Sequence, residues 1–261
     1  MSAETSGLAI VDGHTCVGTR PEEGAEDSAR DLSVAALRRT MARHGVAEAL
    51  VTHFAAIRYD ARDGNDQTLA LCAETQGAST RLHPVAVVHA GMHVGVADEI
   101  RRCANAGCVA VRLTPGQQGW SPSAASFDAA LRAIAAVDLP AIVEVGASGE
   151  ATTVARAAEG LDLALVLANV SYALLGEAIA VLEQHLDICL EACRLVTPGV
   201  VELLVDHVGA HRLIFGSGAP AWDPAPTLAM IREADIAAAD KAAILGGNAR
   251  RLFRLPEGGD R

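Results

Sequence analysis

A carboxylate inside an apolar strand is the first feature of this chain that asks for a chemical explanation. Glu144 lies in Ala141-Ile-Val-Glu-Val145, between two valines. An ionised carboxyl is costly there unless it is paired or functional. Arg112, in Cys108-Val-Ala-Val-Arg-Leu113, is the partner expected from the neighbouring strand, as a structural ion pair or as part of a site. Near the N-terminus, Val11-Asp-Gly-His-Thr-Cys16 brings an imidazole and a thiol to the end of another apolar stretch. In a catalytic reading, Glu144 is the general acid or base with His14 beside it. Arg112 then holds a substrate carboxylate, and Cys16 is a ligand or nucleophile. His53, His89, Asn169 and Ser217 end further apolar segments and complete the expected substrate-binding set. The seventh such segment offers Glu191 or Cys193.

These residues need strands to carry them. Apolar runs bounded by glycine and polar turns predict strands over 8–14, 46–54, 82–90, 108–113, 141–145, 163–168 and 187–192, with an eighth in His211-Arg-Leu-Ile-Phe-Gly-Ser-Gly-Ala-Pro220. Helical patterns fall between them, over 65–77, 96–106, 126–137, 150–159, 174–184 and 200–208. A first helix is expected after an Asp31 cap, ending near His44-Gly45, and another from about Pro224. Strict β/α alternation predicts a parallel sheet. Eight units in 261 residues predict one closed (β/α)8 barrel, a single domain over 1–261. Its active site belongs at the C-terminal strand ends. No G-x-G-x-x-G follows the first strand, which removes the main argument for an open dinucleotide-binding sheet.

Other signals are weaker. Gly146-Ala-Ser-Gly149 and Gly216-Ser-Gly218 are turns where a phosphate could sit, although any tight turn uses glycine. Ser217 lacks the G-x-S-x-G context of a nucleophile elbow. His44, His83, His93, His185, His207 and His211 fall at helix ends or strand entrances and are expected to be solvated. A net charge of −11 argues against nucleic-acid or anionic-membrane partners. Six cysteines without a C-x-x-C pair, and no signal-like N-terminus, point to a reduced cytoplasmic protein. With 51% hydrophobic but only 3% aromatic residues, the core must be aliphatic.

The order of motifs resembles the amidohydrolase-2 family of barrel hydrolases and decarboxylases. The chain keeps the aspartate and first histidine of that family's Asp-x-His-x-His opening, with Cys16 in place of the second histidine. Glu144 and Asn169 stand where the fifth and sixth strands usually end in histidines, and Gly218 stands where the last strand usually carries an aspartate. Asn248-Ala-Arg-Arg-Leu252 also matches the family's closing helix. The resemblance implies hydrolysis or non-oxidative decarboxylation of a small polar, carboxylate-bearing substrate. With so many ligand positions changed, a metal-free site is expected. The alternative is zinc or another divalent ion on His14, Cys16 and Glu144. A second expectation is an inactive barrel serving as a partner subunit, or assembling as a homo-oligomer.

Overall fold

The computed structural model describes residues 9–18, 31–75 and 80–256. The expected strand start at Leu8, most of the polar loop after Val17 and the helix end at Gly77 lie outside them. The strands are β1 (Ile10–Val17), β2 (Val46–His53), β3 (Arg81–Val87), β4 (Ala110–Leu113), β5 (Ala141–Glu144), β6 (Leu165–Ala168), β7 (Ile188–Glu191) and β8 (Leu213–Ile214). They pair in chain order, all parallel, as one eight-stranded sheet. The ring closes where the Gly13 amide donates to Phe215 O (2.8 Å), Cys16 N to Ala219 O (3.0 Å) and Gly218 N to His14 O (2.7 Å). This is the predicted (β/α)8 barrel.

Strand parity explains why the strands read as unbroken apolar runs, since both faces are covered. Val11, Leu50, Val85, Ala110, Ile142, Val166, Cys189 and Ile214 fill the barrel interior. The alternate residues, such as Val51, Ala86, Val111, Val143, Leu167, Leu190 and Leu213, pack outward with the surrounding helices. Ala249, Phe253 and Leu255 of the closing segment join the interior cluster. Asn248 explains part of the terminal motif: its amide donates to Ala210 O (2.8 Å) and Leu213 O (2.7 Å), anchoring the entry to β8.

Several expectations change in detail. Ser33, not Asp31, caps the first helix, Val34–His44, by accepting from Ala36 N, while Asp31 accepts from Ser33 N. The eighth strand is two residues long, because His211 and Arg212 form a 3-10 turn instead. A four-residue helix, Pro115–Gln118, follows β4 and was too short for periodicity to reveal. The Gly146–Gly149 turn is filled from within, since Gly146 N and Ala147 N bind Glu150 and Gly149 N binds Glu177.

His83 is not solvated. It shares the inward parity of Val85, is buried, and sits 2.6 Å from Glu48, which also receives Arg250 (2.8 Å). Burial pushes the Glu48 carboxyl up, but the bonds from His83 and Arg250 outweigh it and hold it below its ordinary value. The folded state therefore binds fewer protons at Glu48 than the unfolded state does in acid. This group adds stability above the ordinary carboxylate range and loses it as the pH falls through the depressed value. Urea midpoints should fall more steeply for wild type than for Glu48→Gln below about pH 5, with the variant about 3 kcal/mol weaker at neutral pH. Parallel curves would show that the network contributes nothing on folding.

Candidate active site at the barrel mouth

The seam between β7, β8 and β1 carries most of the polar chemistry. The register of β1 against β2 shifts between Asp12 and Thr15, and past that irregularity His14 reaches across to β7. Its Nδ1 lies 2.9 and 3.1 Å from the two oxygens of Glu191. Glu191 follows the inward parity of Cys189, is 1% exposed, and also accepts from Cys193 N (3.3 Å). Burial drives its carboxyl up, but His14, then Arg112 and the Cys193 amide, more than reverse this and hold it below the usual range. An ionised carboxylate only accepts hydrogen bonds, so His14 donates from Nδ1.

Two glycines after β8 make room for side chains from the end of β7 and the turn beyond it. A Cβ on Gly216 would lie 2.4 Å from Glu191 Oε1, and one on Gly218 would lie 3.3 Å from Cys193 Sγ. The Gly-Ser-Gly turn therefore gives clearance to two side chains, and its amides are already engaged: Gly218 N by His14 O and Ser217 N by Asp12 (2.9 Å). Ser217 Oγ donates to Asp12 Oδ2 and accepts from Ala219 N. The expected substrate-binding Ser217 is thus a tie between β8 and β1. Asp12, absent from the expected set, is fully buried in this tie, and burial, partly offset by the Ser217 and His14 bonds, raises its carboxyl to about 6.

Arg112 and Glu144 meet as their strands predicted. Arg112 Nη1 donates to Glu144 Oε1 (3.2 Å) and Nη2 to Gly13 O (3.2 Å). Gln117, on the short helix after β4, occupies Glu144 Oε2 (2.8 Å). Both oxygens of Glu144 are thereby held. Arg112 Nε and the Thr114 hydroxyl, two residues along the same strand line, are buried and make no hydrogen bond among the described residues.

The remaining candidates are Cys16, His53, His89 and Asn169. Cys16 is buried with Leu32, Phe54, Ala56, Ile57, Val87 and Ala221. His53 caps the helix Phe54–Arg58, its Nδ1 accepting from Ala55 N (3.2 Å), and burial lowers its pKa. His89 lines a recess of about 350 Å³ with Tyr59, Met92 and Gln118. Asn169 follows β6 with a left-handed backbone (φ 62°).

The expected ligand trio of His14, Cys16 and Glu144 is therefore not the one the fold assembles. Among the described residues, the set whose donor atoms all lie within 4.8 Å of one another is His14, Glu191 and Cys193. Imidazole, carboxylate and thiolate are all accepted ligand types, and three protein donors with an open position suit a catalytic divalent ion. The expectation of a metal-free mouth finds no support here.

The amidohydrolase family model matches residues 11–255, from β1 to the closing segment. This chain belongs to the amidohydrolase family. No curated protein matches the sequence. Among solved structures, the amidohydrolase barrel superposes on a 5-carboxyvanillate decarboxylase from Novosphingobium aromaticivorans, complexed with manganese and 4-hydroxy-3-methoxy-5-nitrobenzoic acid, with a TM-score of 0.75, 14% identity, and 95% and 97% of the two chains covered. A 2,6-dihydroxybenzoate decarboxylase from Rhizobium gives 0.70 at 16% identity, covering 95% and 98%. A dihydroxybenzoic acid decarboxylase from Polaromonas sp., with bound manganese and 2-nitroresorcinol, gives 0.71 at 15% identity, covering 95% and 97%. At such identities the likeness is one of fold. No helix among the described residues of this amidohydrolase is long and apolar enough to cross a membrane.

Proposed function

We propose that this amidohydrolase is a metal-assisted lyase that removes carbon dioxide from a small, carboxylate-bearing substrate without oxidation. The observation that carries this reading is the gathering of His14, Glu191 and Cys193 at the mouth, beside a β8 end whose residue 218 has no side chain. The decarboxylases that share the fold support the same reading. A divalent ion held by those three residues would supply the positive charge that draws electron density from the breaking bond.

The other residues have definable tasks. The C–CO₂ bond breaks heterolytically, carbon dioxide leaves, the electron pair stays on carbon, and that carbon takes up a proton drawn from solvent. The Arg112–Glu144–Gln117 chain walls the mouth in a fixed, charge-balanced form. Among the described residues, Thr114 Oγ1 and Arg112 Nε are buried donors without a hydrogen-bond partner, groups that the polar end of a substrate would satisfy. Asp12 fixes the backbone of His14 through its amide (3.0 Å) and so positions the imidazole. The polar mouth gives no support to an inactive partner subunit, since a scaffold has no need of buried, desolvated carboxylates.

The test is a panel of hydroxylated aromatic and short aliphatic carboxylates, assayed with added zinc, cobalt or manganese for release of labelled carbon dioxide. Release that falls by at least about a hundredfold in His14→Ala is expected. Turnover of amides or lactones with oxygen-18 entering from water, and no carbon dioxide from any acid, would replace decarboxylation by hydrolysis.

A further inference from the structure

We propose that Cys193 is a metal ligand, and that with His14 and Glu191 it makes a site for zinc-like ions rather than for manganese. This rests on the reading above in placing a divalent ion on those three residues, and deepens it by naming the class of ion. The argument is spatial. Cys193 follows β7, yet its sulfur lies 3.3 Å from the point where residue 218 of the β8 end would carry its Cβ. That point lies between the Cys193 thiol and Trp222 Cδ1 (2.9 Å), so the thiol borders the space that a side chain at 218 would take. Gly218 has φ +75°, a conformation that strains any side chain, so β8 is not shaped to supply that donor itself. Glu191 reaches the same volume because Gly216 is bare, its Oε1 standing 2.4 Å from the absent Cβ. His14 approaches from β1, and the three donors converge within 4.8 Å.

The donor set fixes the class of ion. Thiolate and imidazole favour zinc and cobalt, whereas manganese and magnesium prefer oxygen ligands, and manganese stands lowest among the divalent transition ions in intrinsic affinity. This set holds one oxygen donor among three. It also differs from the trio anticipated at Cys16 and Glu144, one of which is buried among apolar side chains while the other is held by Arg112 and Gln117.

The experiment uses full-length protein stripped by a chelator and titrated with zinc, cobalt or manganese. Cobalt should bind wild type with an intense thiolate-to-metal charge-transfer band in the near ultraviolet. Zinc should bind at least about a hundredfold more tightly than manganese. Cys193→Ser should abolish the cobalt band and weaken zinc by at least about tenfold, with its thermal unfolding in the metal-free form as the check on folding. The wild-type cobalt spectrum needs no variant, so a misfolded Cys193→Ser leaves the proposal testable. Cobalt binding without the band, or zinc affinity unchanged in Cys193→Ser, overturns it. Carbon dioxide release without the band would sink the thiolate ligand and spare the lyase. A cobalt band with no turnover of any carboxylate would do the reverse.

Discussion

Glu191→Gln is expected to weaken zinc binding and lower turnover by at least about a hundredfold, and to make the metal-free protein unfold earlier in urea than wild type at neutral pH. A hundredfold is about 2.7 kcal/mol of lost stabilisation. The loss of stability follows because the His14 and Arg112 charges outweigh the desolvation of the buried Glu191 carboxyl, as His83 and Arg250 do at Glu48. An amide keeps the shape and the acceptor facing Cys193 N, yet removes the charge that a cation needs. Calorimetric titration, steady-state kinetics and urea denaturation of the same preparations check the three readings. A variant that retains wild-type metal affinity would take Glu191 out of the site.

Arg112→Met should destabilise the fold by about 3–5 kcal/mol, because it leaves the buried Glu144 carboxylate without its cation. Arg112 is among the largest fully buried side chains, and methionine replaces most of its volume. Adding Glu144→Gln to that variant should restore part of the loss, since it removes the Glu144 charge while Glu191 still lacks the guanidinium that helps hold it ionised. Urea denaturation of both singles and the double closes the cycle. A loss below about 1 kcal/mol in Arg112→Met would mean that the pair is loosely held and that the guanidinium is available to a substrate carboxylate instead.

Much of this architecture was legible in the sequence because its signals are local. β/α alternation needs only neighbouring residues, and the flanking valines of Glu144 announced a buried carboxylate whose partner lay one strand away. Glu191, between Leu190 and Ala192, carries the same signal, but its partner His14 is 177 residues distant, and nothing local reports such a pairing. Cys193 was visible as a strand-end residue, yet its position depends on an absence at Gly218 that composition cannot convey. Gln117 was hidden in a helix of four residues. His83 was misplaced for a different reason: a polar residue before a proline resembles a solvated strand entrance, while two-residue parity with Val85 turns it into the barrel.

The seam has a consequence for how the protein is held together over time. His14 meets Glu191 across 177 residues, and Asp12 meets Ser217 across 205. Contacts of such separation carry the largest chain-closure entropy. The His14–Glu191 and Asp12–Ser217 contacts therefore form only when the first strand docks on the last. Any ligand gripped jointly by His14 and Glu191 works as a clasp on that joint, adding about 2.7 kcal/mol when present at a hundred times its dissociation constant. Loss of the ligand should show first as faster amide exchange in β1 and β8, with the middle strands still protected.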